Sequence, residues 1–406
     1  MKIYLVCHYF PPEIGAPQAR LSEMASNWKK LGHEVTVLTG FPNHPTGIIA
    51  PEFKGKIFQT EIVDGIRIWR HWLYATPNKG FLKKIFGHLS FMFSCFFLSM
   101  FRGERPDIYV VSSPTFFSVI SVWLMSAIRR VPFIFEVRDL WPGIFVELGI
   151  LKNKALISVL EAMELFLYRR AKKVVVVTEG FKENLIQRKI EKEKIEVITN
   201  GVNLSFFAEN KIFESLDGLP FDENKFKILY IGAHGISHGL DTIIETAKEM
   251  ENEQVQFIFV GEGAVKDHLM EKAQSLKLKN VIFLPGTKRD NVPSFYRMAD
   301  VCLVPLKDIK GFESFIPSKM FEIMASKRPI IGSVTGESAR ILERSGGALV
   351  ISPENKVELC QAILKLQNDS DLRCRLGESG YQFVKEHFNR DTLSERYLRL
   401  LESSIN

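Results

Sequence analysis

At 406 residues the chain is too long for one ordinary domain, and two domains of about 200 residues are expected. With 46% apolar and 25% charged residues it has a normal globular balance, and its five cysteines, odd in number and widely spaced, argue against a disulfide frame or a zinc site. The net charge of +6 is uneven: residues 1–205 carry 27 Lys and Arg against 18 Asp and Glu, whereas residues 206–406 carry 26 against 29. A basic first half suits an anionic partner such as a membrane surface, a lipid pyrophosphate or nucleic acid. Charge scattered over solvated faces suits the same count.

Met1-Lys2 leads straight into IYLVCHYF, so a buried first strand is expected and no signal peptide. A loop rich in Pro and Gly follows at 10–17, then a helix pattern over 18–30 that Gly32 stops, then the strand HEVTVLTG. Strand, helix and strand of this length form a βαβ unit and demand a parallel sheet. The loop after the first strand, which contains Gly15, reads PPEIGAPQ; the GxGxxG dinucleotide fingerprint is absent, which counts against a dehydrogenase. Residues 57–72 alternate around Asp64-Gly65, a hairpin signal.

Residues 85–101 then run for seventeen positions without a full charge. That is the lower edge of a membrane span, and Gly87, His88 and three serines weaken the case. Lys83 and Lys84 flank one end, Arg102 and Arg105 the other. A helix lying on an anionic membrane surface fits better than a span, and a helix packed inside the first domain is the competing reading.

DIYVVSSP and VPFIFEVRDLWP are further strands. The second ends in Arg138-Asp139, a charged pair at the carboxyl end of a buried strand, where α/β sheets place function. A helix over 155–171, a strand before the cap Thr178, and IEVITNG complete the first half. A linker is expected near 202–225.

The second half repeats the alternation. FKILYIG, VQFIFVGEG, NVIFLPG, DVCLVPL, RPIIGS and GALVIS read as strands separated by helices, and the loops after them hold His234, His238 and Gly261-Glu262-Gly263. The most informative stretch is GFESFIPSKMFEIMASKRPIIG, residues 311–332. Pro317 suits the first turn of a helix and Ser318 can cap it, so free N–H groups, the helix dipole and the full charge of Lys319 make an anion site. Glu322, one turn on, suits paired hydroxyls such as those of a ribose. An ordinary surface helix would show much of the same pattern. Asp369-Ser370-Asp371 lies in a polar turn and reads as a helix cap, and no metal site is expected. The basic residues are dispersed, which speaks against nucleic acid. Two βα sheets imply an α/β protein of two Rossmann-like domains facing across a cleft, with a last helix near 391–401 returning to the first.

With these elements placed, the chain resembles the GT-B glycosyltransferases of family 4, in the flavour of the O-antigen and capsule N-acetyl-L-fucosaminyltransferases. The likeness rests on TNGVN at 199–203, VGEG at 260–263, ADVCLVPL at 299–306 and PSKMFEIMASKRPII at 317–331. It implies an acceptor-binding domain over 1–205, a nucleotide-sugar-binding domain over 206–385 and a C-terminal helix over 386–406. It implies a retaining transfer, without metal or other cofactor, from a UDP-sugar to a polyprenyl-pyrophosphate-linked acceptor, on the cytoplasmic face of the cell membrane. By the same resemblance Glu322 holds the ribose, and Gly15, His234, His238, Glu262, Ser318 and Lys319 surround the donor. Arg138, Asp139, Glu313 and Lys319 carry the catalytic roles. The chain departs from the family in places. The first glutamate of the paired motif falls on Ser314, with Glu313 one residue off; Ala233 and His238 replace an Arg and a Lys; Arg138 replaces a His. A sugar-nucleotide epimerase or a non-catalytic polysaccharide scaffold of the same fold are the alternatives.

Overall fold

The computed structural model describes residues 1–406 except 14, 45, 77–80, 114, 115, 148, 150, 209–215, 217 and 406. Much of the expected linker and one residue of the loop after the first strand therefore lie outside the described residues. The chain divides into two compact units, Met1–Asn200 with Arg390–Asn406, and Gly201–Asn389. The boundaries fall at 200 and 389, not at 205 and 385, because Val202 bridges Asn389 and its N–H bonds the carbonyl of Phe388, tying residue 202 to the second unit.

The first unit opens with β1 (Lys2–Val6), α1 (Ala16–Lys30) and β2 (Glu34–Gly40). A hairpin, β3 (Phe58–Val63) and β4 (Ile66–His71), turns on Asp64 and Gly65, whose φ angles of 51° and 74° fit the tight turn that Asp-Gly favours. Then come α2 (Phe81–Ser99), β5 (Ile108–Ser112), α3 (Phe116–Arg129), β6 (Phe133–Val137), α4 (Gly143–Glu147) and α5 (Lys154–Arg170). The unit's first run ends with β7 (Lys173–Val176), α6 (Glu179–Gln187) and β8 (Ile195–Val197). The strands lie in the order β3-β4-β2-β1-β5-β6-β7-β8, parallel except for the hairpin.

Strand alternation divides this sheet between two cores. Tyr4 and Val6 of β1 face a cluster fed by α2, α3 and α5, while Ile3 and Leu5 face one fed by α1 and the last helix. Both faces are covered, which is why the parallel strands read as unbroken apolar runs. Thr178 caps α6 by accepting the N–H of Phe181 at 3.1 Å.

The second unit holds β9 (Phe226–Ile231), α7 (Asp241–Glu249), β10 (Val255–Val260), α8 (Lys266–Ser275), β11 (Val281–Leu284), α9 (Val292–Met298) and β12 (Val301–Pro305). It continues through α10 (Lys319–Ala325), β13 (Ile330–Ser333), α11 (Gly336–Ser345), β14 (Ala348–Ile351), α12 (Lys356–Asn368) and α13 (Ser370–His387). Its six strands are all parallel, in the order β11-β10-β9-β12-β13-β14. The strand order reverses between β9 and β12, so the loop after β9, with the β10 loop beside it, stands where such sheets gather ligands. Asp369 caps α13 by accepting the N–H of Leu372 at 2.8 Å.

The last helix, α14 (Arg390–Ile405), packs on α1 in the first unit. Trp28 and Tyr397 meet at 5.4 Å, the Trp28 indole donates to the carbonyl of Ser394, and Arg390 pairs with Glu23 at 2.8 Å.

The apolar stretch 81–101 forms α2, whose serines face inward. Ser90 Oγ accepts the N–H of Tyr74, Ser94 Oγ donates to the carbonyl of Trp72, and Ser99 Oγ bonds the buried His71 ring at 2.6 Å. Phe91 and Cys95 are fully buried on that side. Outward stand Phe86, Phe93 and Phe97, each more than half exposed, with Phe101 just beyond the helix at 87% exposed. Among the described residues no helix is long and apolar enough to cross a membrane.

Candidate active site

At the reversal point of the second sheet, two glycine loops touch backbone to backbone. A Cβ on Gly261 would stand 1.9 Å from the carbonyl oxygen of Gly232, and one on Gly263 would stand 2.3 Å from that of His234. Only glycine allows that approach. The N–H of His234 donates to the carbonyl of Glu262, and the N–H of Val265 to that of His234.

The imidazole of His234 is thereby fully buried, with neither ring nitrogen hydrogen-bonded among the described residues. Burial, with Lys266 and Lys319 nearby, pulls its pKa down to about 4. His238 falls to about 3, again chiefly through burial, although its Nδ1 lies 3.4 Å from the carbonyl of Pro305. Both rings are neutral at pH 7.

Lys319 is the centre of the cluster. Its Nζ sits 3.8 Å from the centroid of the Tyr230 ring, whose centroid lies 5.7 Å from His234 and 6.0 Å from His238. That ammonium is buried without a hydrogen-bond partner among the described residues, and it fills the space where Gly232 would otherwise carry a Cβ. Burial pulls its pKa down to about 7, with Glu322 opposing. Taking the ammonium out of water thus works against the full charge expected of it.

The expected helix cap is corrected. Ser318 has helical angles, φ −60° and ψ −26°, and its side chain makes no cap bond. A residue already inside the helical turn points its hydroxyl away from the N–H groups that a cap must meet.

Glu322, one turn along α10, accepts from Arg289 at 3.1 Å and from the Tyr296 hydroxyl at 3.2 Å. Two partners fix the carboxylate and leave acceptor positions on both oxygens. Glu262 is held by Lys266 at 2.8 Å, which lowers its pKa, and it accepts the N–H of Gly286. Glu313 is exposed; its backbone lies against Gly336, where a Cβ would clash at 2.1 Å.

Three of the expected residues belong to the first unit. Gly15 stands before α1. Arg138 and Asp139 follow β6. Arg138 is buried, and its Nε and Nη1 have no hydrogen-bond partner among the described residues. Burial lowers its pKa, with Glu136 opposing, and raises that of Asp139, with Arg138 opposing. Beside them Arg20 and Glu136 form a fully buried ion pair at 3.1 Å, and Arg20 also donates to the carbonyls of Ile198 and Thr199.

Sequence reasoning missed Tyr230, Arg289 and Tyr296. Tyr230 hides in an ordinary apolar strand, and no spacing signal marks the other two. The partners of Glu322 come from the segment between β11 and β12, so only folding unites them.

Two doubly wound sheets, the second with glycine loops and a buried lysine at its strand ends, define an α/β protein of two units. Two family models match it: the Glycosyl transferase 4-like domain over residues 15–201 and the Glycosyl transferases group 1 domain over 211–383. The chain belongs to the GT-B glycosyltransferases. It is 25% identical over 373 residues to WcaI of Escherichia coli K12, named provisionally as a colanic acid biosynthesis glycosyl transferase, with 89% of this chain and 91% of that one covered. Its fold matches sucrose-phosphate synthase of Thermosynechococcus elongatus with a TM-score of 0.75 at 17% identity, covering 99% of this chain and 98% of that one. It matches Anabaena HepE, solved with UDP and glucose, with a TM-score of 0.72 at 17% identity, covering 99% and 100%.

Proposed function

We propose that this glycosyltransferase moves a sugar from a UDP-sugar, bound by the second unit, to a lipid-linked acceptor in the assembly of a bacterial surface polysaccharide. The observation that carries the donor site is Lys319: a buried ammonium with no hydrogen-bond partner among the described residues, beside the two glycine loops. Such a group is costly unless an anion meets it, and the leaving diphosphate is that anion. Supporting readings are the UDP and glucose in the HepE structure and the polysaccharide in the name of WcaI. The resemblance to the fucosaminyltransferases points to an N-acetylated deoxyhexosamine as the sugar.

In this reading Lys319 neutralises charge on the diphosphate as the anomeric carbon–oxygen bond breaks. His234, His238 and Ser318 line the phosphates, and Glu262 borders them. Glu322, steadied by Arg289 and Tyr296, accepts from the ribose hydroxyls. Glu313 reaches the donor sugar in place of the family's first glutamate. In the first unit, Asp139 orients the acceptor hydroxyl, Arg138 sets the local charge and Gly15 leaves room for a ligand at the sheet edge. Transfer proceeds with retention and without metal, and the exposed phenyl face of α2 rests on the anionic inner surface of the membrane.

The test is the melting temperature of the purified protein with UDP, GDP, ADP and NAD, beside Glu322→Ala and Lys319→Ala. A ligand at a hundred times its Kd stabilises by about 2.7 kcal/mol. A shift with UDP alone, lost in both variants, is expected. No shift with any nucleotide would overturn the donor site.

A further inference from the structure

A second polar cavity lies wholly within the first unit, at the carboxyl ends of β1 and β2 and against the start of α2. Its volume is about 240 Å³, and its polar lining includes His8, Tyr9, Asn43, His44, Lys83 and His88. The imidazoles converge. The His8 ring lies 4.6 Å from His88 and 4.5 Å from Tyr9, and Tyr9 lies 5.3 Å from His44. His8 is 4% exposed, and its Nδ1 has no hydrogen-bond partner among the described residues. Burial, with His88 and His44 nearby, holds its pKa well below the usual imidazole value.

No carboxylate is among the described lining residues. The nearest acid in the loop, Glu13, spends its oxygens on the N–H groups of Phe10, Asn43 and His44, which fixes the rim. No group of three His, Cys, Asp or Glu among the described residues is arranged to hold a metal. The imidazoles, the Asn43 amide, the Tyr9 phenol and the Lys83 ammonium together offer several donors around one centre, which suits a phosphate.

The wall supplied by α2 says where that phosphate comes from. Lys83, Gly87 and His88 occupy the first turns of the helix that exposes Phe86, Phe93 and Phe97. The wall is fixed closely: a Cβ on Gly87 would stand 2.8 Å from the carbonyl of Tyr74, itself in the opposite wall. A group bound here thus sits on the same helix as the apolar surface. A lipid phosphate has that arrangement, with its charge where the chain leaves the membrane.

We infer that the cavity of His8, His44, Lys83 and His88 receives the phosphate of the lipid-linked acceptor, while the phenyl face of α2 takes its chain. The inference rests on the lipid-linked acceptor proposed above and assigns its polar group to named residues.

The test titrates the full chain with farnesyl diphosphate, inorganic pyrophosphate and farnesol, with saturating UDP present to occupy the donor site. Lys83→Gln, His88→Gln and their double variant are compared with wild type; Lys83 is exposed and His88 half-buried, so folding should survive, and the melting temperature checks it. Farnesyl diphosphate is expected to bind wild type and to bind the double variant at least tenfold more weakly, with the UDP-induced melting shift unchanged. Equal binding to both proteins would overturn the assignment. Farnesol binding as tightly as farnesyl diphosphate would reduce the site to an apolar surface, and pyrophosphate binding as tightly would make it a free-anion site; either overturns it. If UDP gives no shift, the donor reading fails by itself. The titration is then run without nucleotide, and loss in the double variant would still support the cavity.

Discussion

Lys319 makes a prediction about pH. Its pKa of about 7 in the ligand-free protein means that a bound diphosphate must draw in a proton above neutrality. UDP affinity is therefore expected to be level below pH 7 and to weaken toward about tenfold per pH unit above it. Calorimetric Kd values in buffers of differing ionisation heat would show the proton uptake, and a flat profile to pH 9 would refute it. The same depression predicts a stability trend. A base whose folded pKa lies below its unfolded value destabilises the fold as pH falls from about 10 to 7, and no further below. Without nucleotide, wild type should gain stability over Lys319→Met between pH 7 and 10. The Arg20–Glu136 pair is a second residue-scale case. Burial raises the Glu136 pKa, but Arg20 and Arg138 outweigh it and hold it below the usual range. Arg20→Leu leaves that carboxylate buried and unpaired, which costs about 3–5 kcal/mol. Denaturant melts should show this loss, with part recovered in Arg20→Leu with Glu136→Leu.

At the scale of elements, α2 shows how an apolar run of nearly spanning length becomes a surface helix. Its serines bond the chain after β4, its buried stripe is Phe91 and Cys95, and its phenyl groups face out. Burying one phenylalanine from water contributes about 1.5–3 kcal/mol. Phe93→Ser with Phe97→Ser should then reduce co-sedimentation with vesicles of anionic lipid by more than tenfold, while the melting temperature holds. Retention of vesicle binding would remove α2 from the membrane reading. The glycine loops after β9 and β10 work at the same scale: their contact at Gly232 and Gly261 is what buries His234.

For the whole molecule, α14 matters most. The last helix completes the first unit through Tyr397, Leu401 and the Trp28 contact, although α13 before it belongs to the second. Truncating a fully buried aromatic side chain costs about 3–5 kcal/mol. Tyr397→Ala should lower the calorimetric transition of the first unit and leave in place the transition that UDP raises. Both transitions falling together would mean that the helix also stabilises the second unit.

Much of this architecture was legible in order along the chain. The βαβ alternation, the Asp-Gly hairpin, the caps at Thr178 and Asp369 and the inventory of strands follow from local period and turn chemistry, which act over a few residues. The charge state of Lys319 was not legible, because it depends on how much water the fold removes. Nor were the partners of Glu322, the four-residue shift of the second boundary, or the meeting of His8, His44 and His88. Those contacts join positions tens of residues apart, and a sequence pattern carries the face a side chain takes but not what the opposite element brings to it.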